Sequence, residues 1–525
     1  MLNIFHKLNQ RFFEILPGTL TWLTFILAVF SSIWLPLWAI YFIIVFDFLW
    51  LIRVYYMVAN QISSWVRFRS AVKIDWWERV SAIGRPAPAK GGSPMADSGW
   101  QNLDQKPTQK LTAKNWQDYC HLIFLPTYQE PFEVVDKTFQ TLAQNRYDLS
   151  KFIVVLAGEA RDRENFMAIA EKIQNLYQNR FLKILITVHP QNLTGEIPGK
   201  GSNLNYAGGE AKKLIDQLKI PYEKVIVSAF DIDTHPHPQY FAHLTYKYLT
   251  HPQPTHTSFQ PLALYHNNIW ESDPLTRVMA NSTTFWLMTD LARSERLFTF
   301  SSHSMSFQAL VDVGFWQKDI VSEDSRIFLQ CLLKYDGDYQ VEPLYIPVSM
   351  NTVNTGKFWK AMVDQYKQMR RWAWGAEHIP YMIKEFKNHP QMPRWKKFKH
   401  FFNQLEGMWS WATAPILITL MGRLPLWFAG RAIQATAFAQ IAPLILEKLM
   451  TFAIIGLILN AFLSTYLLPQ RPKGKSWLGY PLMFLEWLLF PVTMVIFGSI
   501  PATESQTRLL LGGRFRLGFW VSGKK

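Results

Sequence analysis

Residues 15 to 46 contain no Asp, Glu, Lys or Arg. A helix needs about 20 apolar residues to cross the hydrocarbon of a bilayer, and backbone in lipid must satisfy its polar groups internally. Extended to about Tyr56, this run predicts two spanning helices, about 16–34 and 37–57, with Pro36 at the turn between them. A cleaved signal peptide fits less well, because its apolar core is only about 7–15 residues long and no clear cleavage site follows. Apolar runs return late in the chain, near 405–422, 425–446, 449–468 and 479–500, with a polar middle between. The expected division is 1–59 (two N-terminal spans), 60–400 (a soluble domain), 401–500 (three or four spans) and a tail over 501–525.

Charge sets the orientation. Lysine and arginine concentrate on the cytoplasmic side of membrane proteins. Lys7 and Arg11 place the N-terminus there, and two spans return the chain to the same side. A tail with Arg508, Arg514, Arg516, Lys524 and Lys525 favours four C-terminal spans, six in all, although this leaves Arg471, Lys473 and Lys475 on the far side. The net charge of +15 suits a membrane surface and a pyrophosphate-bearing substrate; no nucleic-acid-binding motif is present. Two cysteines, Cys120 and Cys331, in segments that read as buried suggest a reducing compartment, and no cysteine cluster has metal spacing.

Within the middle, residues 84–112 are rich in Pro, Gly and Ser and read as a loop. Four short apolar runs follow, at 121–126, 152–158, 182–188 and 224–230, alternating with helical patterns at 165–178 and 203–218. That alternation predicts an α/β domain with a mostly parallel sheet, whose ligands sit at the carboxyl ends of the strands.

Polar clusters lie at those ends. Asp231 and Asp233 in "DID" would face the same way in extended backbone and could share a divalent cation. "GEIPGKGSNLNYA" (195–207) is one residue short of a P-loop and has Gly201 where Ser or Thr should follow Lys200, which argues against a Walker NTPase. Its glycines still allow close backbone approach to an anion, with a helix starting near Ser202. In "SEDSRIFLQCL", Ser322 is placed to cap a helix, with Glu323 and Asp324 in its first turn; Asp324 is a candidate general base. In "QMRRW", Gln368, Arg371 and Trp372 fall at i, i+3 and i+4, on one face of a helix. Phe358, Met362, Tyr366, Met369 and Trp372 make an aromatic stripe that reads as core, and 357–400 carries eleven Lys or Arg against three acids, a face suited to anionic headgroups.

In that order, "PTYQEP" from Pro126, "GKGSNLN" from Gly199, "DID", "SED" and "QMRRW" resemble the membrane-embedded family 2 glycosyltransferases of the cellulose synthase, hyaluronan synthase and chitin synthase type. The match covers roughly 120–375, between spans arranged as the family has them. The resemblance implies a GT-A (nucleotide-diphospho-sugar transferase) domain facing the cytoplasm of a bacterial-type inner (plasma) membrane. It implies inverting transfer from a nucleotide sugar, with a UDP-sugar the favoured donor, to a growing polysaccharide, possible translocation of that chain, and a Mg2+ or Mn2+ cofactor. Carried over by position, Thr127, Tyr128 and Glu130 would line the nucleoside pocket and Lys200 would meet the diphosphate. Asp231 would contact nucleotide or metal, and Asp233 would hold the metal. Asp324, with Glu323 beside it, would be catalytic. Gln368, Arg371 and Trp372 would hold diphosphate and acceptor. "FWVSGK" resembles a gating loop, through Phe519, Val521, Ser522 and Lys524. Where the family has an Asp after the second strand this chain reads "AGEARD", so Glu159 or Asp162 must serve. Two other readings stand beside this one: a glycolipid synthase adding one sugar to a membrane lipid, and a transporter or scaffold, for which Asp47 and Glu486 in predicted spans would mark a polar path.

Overall fold

The structure, a computed structural model, describes residues 2–83 and 114–518. The loop expected over 84–112 and the gating-loop residues Phe519, Val521, Ser522 and Lys524 lie outside the described residues.

Eight strands form one sheet: β1 (Cys120–Pro126), β2 (Phe152–Glu159), β3 (Lys183–His189), β4 (Val225–Ala229), β5 (His235–Pro236), β6 (Thr257–Leu264), β7 (Ser304–Ser306) and β8 (Gln340–Ser349). Their order is β3-β2-β1-β4-β7-β6-β8-β5. The pairs β1/β2, β1/β4, β2/β3 and β6/β8 are parallel; β4/β7, β6/β7 and β5/β8 are antiparallel. Every residue of β1, β2, β4 and β6 is buried. Strands covered on both faces lose the in–out alternation and read as continuous apolar runs, which is why the sequence shows them so plainly. The helices Arg163–Tyr177 and Lys200–Leu218 are the expected crossovers. Cys120 on β1 and Cys331 on the helix Glu323–Lys334 are buried free thiols, and burial pushes each up to about 12.

Four helices are long and apolar enough to cross a membrane: Arg11–Trp34, Pro36–Ala71, Ala437–Leu467 and Gly479–Leu511. The separate span expected over 425–446 does not form. Pro425 and Gly430 divide that stretch into the short helices Leu424–Phe428 and Arg431–Gln434, and one long helix begins at Ala437. Side-chain contacts fix how these helices run. Helix Ala437–Leu467 runs parallel to Pro36–Ala71: Phe438 stacks on Tyr41, the Tyr55 hydroxyl donates to the Phe452 carbonyl at 3.0 Å, and Tyr466 meets Trp65 beside the sheet domain. Helix Arg394–Ile416 leaves that domain at His400, which packs on Phe328, and continues through Leu417–Met421 to Phe46 and Ile43. Helix segments from Gly479 to Leu511 begin against Trp270 of the sheet domain and end against Arg11. Both ends therefore lie on the domain side. Leu482, Leu485, Leu488, Val492, Ile496 and Ile500 form an exposed apolar stripe along this stretch, while Glu486 and Glu504 point into protein.

Glu486 pairs with Arg277 of the helix Pro274–Leu291, whose Nε donates at 2.8 Å; both side chains are buried. This pairing accounts for one of the two ionisable residues in predicted spans. Arg277→Met would strand a buried carboxylate, which costs about 3–5 kcal/mol. Thermal unfolding in detergent should show the loss, and the double variant with Glu486→Leu should recover much of it. A single variant as stable as the wild type would contradict the pairing.

Candidate active site

The parallel strands point one way, so their carboxyl ends meet. β1 delivers Thr127, Tyr128 and Glu130; β2 ends on Glu159; β4 leads into Asp231 and Asp233; β6 leads into Tyr265; β8 leads into Asn351. A cavity of about 570 Å³ opens there. Its wall includes those four residues from β1 and β2, then Lys200, Asp231 and Asp233, then Glu323 and Asp324, and finally Gln368, Arg371 and Trp372. Every site residue expected outside the tail thus reaches one space, although they span some 250 positions of chain. The cavity then continues between helices, past Trp411, Pro415 and Trp487 to Trp50.

Asp162 is absent from that wall. Its Oδ2 accepts from the Gln129 backbone N–H at 2.9 Å. Glu159 is the residue that lines the cavity; it accepts from Arg161 Nε at 2.9 Å, and the Arg161 guanidinium lies 4.3 Å from the Tyr128 ring centre. Of the two acids in "AGEARD", Glu159 is the one on the cavity wall.

Lys200 opens the helix Lys200–Leu218, two residues earlier than expected. Gly199 before it has φ 155°, ψ −167°, backbone that is close to glycine-only. At Gly201 a Cβ would sit 2.9 Å from the Gln317 carbonyl oxygen and 3.2 Å from Glu323 Cβ. The glycine therefore serves close packing of this helix against the "SED" segment. That contact carries Lys200 into a cluster: its Nζ lies 2.8 Å from Asp231 Oδ1, 2.9 Å from both Asp324 oxygens and 3.6 Å from Glu323. Burial works against the charge of Lys200, but the carboxylates of Asp231, Asp324 and Glu323 outweigh it and hold the ammonium above the ordinary lysine range. Burial, and then the charge of Asp324, raise the Glu323 carboxyl.

Two expectations are corrected in detail. "DID" lies in a turn closed by Thr234 N–H to the Asp231 carbonyl at 2.9 Å, so the extended-strand argument does not apply, although both carboxylates still line the cavity. Ser322 stands at the N-cap position of Glu323–Lys334 without capping it; its hydroxyl donates to Glu377 Oε1 at 2.9 Å, tying the "SED" segment to the turn that follows "QMRRW".

Sequence reasoning missed the supports. Ser301 Oγ donates to Asp231 Oδ2 at 2.7 Å, and the Asn351 backbone N–H donates to Asp233 Oδ2 at 2.9 Å. His378 Nε2 lies 2.7 Å from Ser325 Oγ. No short-range pattern announces them, because each acts across the fold. The helix Phe358–Ala373 carries Gln368, Arg371 and Trp372 on its cavity face as expected. Met362 and Met369 of its stripe are buried, while Phe358 is exposed. Glu504 fixes this helix from the membrane side, accepting from Arg370 Nη1 at 2.6 Å and from the Tyr366 hydroxyl at 2.7 Å.

The wall is acidic at this end: Glu130, Glu159, Asp231, Asp233, Glu323 and Asp324 face Lys200 and Arg371. Among the described residues no group of three or more His, Cys, Asp or Glu side chains is placed to hold a metal by itself. A pair of carboxylates in a polar cleft is what a hard divalent ion needs when phosphate oxygens and water complete its shell.

The family model for glycosyl transferase family group 2 matches residues 226–496, just over half of the chain. The chain belongs to that family. The matched stretch of this glycosyltransferase contains Asp231, Asp233, Asp324 and Gln368–Trp372, and leaves Thr127, Glu159 and Lys200 outside it. No curated protein matches the chain. Similar solved structures include the mannosyltransferase PcManGT from Pyrobaculum calidifontis in complex with GDP-Man and Mn2+, at 14% identity over 76% of this chain and 99% of that chain, with TM-score 0.38. S. aureus TarS 1-349 with UDP-GlcNAc is similar at 14% identity over 68% of this chain and 95% of that one, with TM-score 0.36. GalNAc-T7 with UDP, GalNAc and Mn2+ is similar at 9% identity over 56% and 57%, with TM-score 0.31.

Proposed function

We propose that this glycosyltransferase has a GT-A catalytic domain and moves a sugar, with inversion, from a nucleoside diphosphate donor onto a growing polysaccharide whose end lies in the membrane-directed arm of the cavity. The observation that carries the reading is the continuity of one cavity from the strand ends, past Asp324 and Trp372, to Trp50 and Pro415 among the apolar helices. Aromatic side chains at Trp372, Trp411 and Trp487 offer flat faces to sugar rings along that path.

Each residue has a place in the displacement. Thr127, Tyr128, Glu130 and Glu159 enclose the nucleoside. Asp231 and Asp233 would hold a divalent cation, Mg2+ or Mn2+, which would supply positive charge against the diphosphate. Arg371 and Gln368 approach the leaving group from the opposite wall, and Arg371 stabilises the charge that develops on it. Asp324 takes the proton of the acceptor hydroxyl as oxygen attacks the anomeric carbon and the carbon–phosphate oxygen bond breaks. Lys200 pairs with Asp324 at 2.9 Å in the free enzyme; a diphosphate beside Lys200 competes for the ammonium and releases Asp324 for proton transfer. The glycolipid reading keeps one supporting observation: no residue from the far ends of the helices, near 34–43 or 425–445, lines the cavity. Sizing the product made with a radiolabelled UDP-sugar separates the two: long chains support the polysaccharide, and a single sugar on extractable lipid overturns it.

The helix contacts also support a topology. Four spans, Arg11–Trp34, Pro36–Ala71, 394–421 and Ala437–Leu467, place the N-terminus, catalytic domain, Arg471–Lys475 and the tail on one side, which we assign to the cytoplasm of the bacterial-type inner (plasma) membrane. Gly479–Leu511 then lies along the interface, with its apolar stripe in lipid. Arg471–Lys475 and the tail then obey the positive-inside rule together, which the six-span arrangement could not achieve, while Arg423 and Arg431 fall on the far side. A cysteine at Ser476 should resist a membrane-impermeant thiol reagent applied to the outside of intact cells; labelling from outside would refute the four-span arrangement.

A further inference from the structure

The membrane arm of the cavity carries a second charged cluster, which the proposed transfer does not use. Arg53 on the helix Pro36–Ala71 and Arg293 and Arg296 after the helix Pro274–Leu291 line it, and Asp290 is the carboxylate that faces the same space. Asp290 pairs with Arg293. Glu406, behind the wall, pairs with Arg53 and lies 3.8 Å from Arg296 Nη2. Three guanidinium groups thus meet two carboxylates, and toward the cavity the balance is three to one. Burial and then the neighbouring Arg293 pull the Arg296 guanidinium below its ordinary range, while Asp290 and Glu406 work against that shift. The polarity is opposite to that of the donor end, where carboxylates dominate.

We infer that Arg53, Arg293 and Arg296 form an oxyanion site that takes the phosphate of a membrane lipid, and that the acceptor glycan is held through this phosphate. Planar guanidinium groups match phosphate oxygens two at a time, and surplus charge in a partly desolvated wall favours an anion strongly. A lipid is favoured over free phosphate by position. Arg53 shares its helix with Leu49, Ile52 and Tyr56, all at least half exposed on an apolar span, so a bound phosphate would leave its acyl chains beside lipid-facing surface. The inference rests on the glycosyltransferase reading for the purpose of the lipid; the site itself can be measured without it.

The test is equilibrium binding to the purified full-length protein in neutral detergent, with UDP saturating the donor end. The probes are dioctanoyl phosphatidic acid, dioctanoylglycerol and inorganic phosphate. Phosphatidic acid should bind at least about tenfold more tightly than either of the others. Arg296→Gln should weaken it about tenfold, and Glu406→Gln, which frees Arg53 and adds net positive charge, should tighten it severalfold. Opposite effects of the two variants cannot come from misfolding. Inorganic phosphate binding as tightly as phosphatidic acid would overturn the lipid assignment, and equal affinity in wild type and both variants would overturn the site. UDP binding in the same samples keeps the inferences apart: intact UDP binding without lipid binding counts against this site alone, and absent UDP binding counts against the UDP-sugar reading of the donor end.

Discussion

Asp324→Asn is expected to lower sugar transfer by about 10²–10⁴-fold, the usual range for loss of a general base, with donor affinity changed by less than about twofold. The substitution keeps the shape of the side chain and removes its ability to take a proton. Lys200 retains Asp231 at 2.8 Å, so the donor end stays assembled. Glu323→Gln supplies the contrast. Burial already raises that carboxyl toward its neutral form, and neutralising it should cost less than about tenfold. Single-turnover transfer measured beside donor binding distinguishes the two acids. If Asp324→Asn turned over normally, or if Glu323→Gln were the more damaging change, the base would have to be reassigned.

The second large effect concerns Asp233. Asp233→Asn should lower activity and Mn2+ affinity in the presence of UDP by about 100-fold or more, given that even outer-shell partners of a metal contribute about 10–100-fold. Asparagine is chosen because its side-chain oxygen can still accept from the Asn351 backbone N–H, as Asp233 Oδ2 does at 2.9 Å. The fold around β8 then survives while the charge is lost. Asp231 has a further partner in Lys200, so Asp231→Asn should also loosen Lys200 and Asp324 and perturb the rate beyond its effect on metal affinity. Calorimetric titration of Mn2+ is the check. An Asp233→Asn enzyme that bound Mn2+ and transferred sugar like the wild type would remove these carboxylates from the metal site.

These two predictions use residues legible in the sequence, and the reason is local. Asp231 and Asp233 follow a buried parallel strand, and strand ends gather ligands whatever the rest of the chain does. Gln368, Arg371 and Trp372 obey helical spacing, so one face could be inferred without coordinates. Gly201 shows the limit of such reasoning. Its role looked like backbone approach to an anion, yet its missing Cβ lets Lys200 reach Asp324, a contact across 124 positions. The course of the membrane region was hidden for a related reason. Hydropathy reports length and composition, and by both Gly479–Leu511 still qualifies as a span. The segment's direction depends on where Trp270 and Arg11 meet its two ends, which no window of sequence contains. The split at Pro425 and Gly430 likewise turned two expected spans into one.

The most direct test of the account is turnover of a panel of nucleotide sugars by the purified enzyme in lipid bilayers with Mn2+, following nucleoside diphosphate release together with the fate of radiolabelled sugar. The account predicts that one donor yields nucleoside diphosphate and membrane-associated glycan in equal amounts, and that Asp324→Asn yields at least about 100-fold less of both. Failure of every nucleotide sugar to bind or turn over, in protein that remains folded, would contradict it.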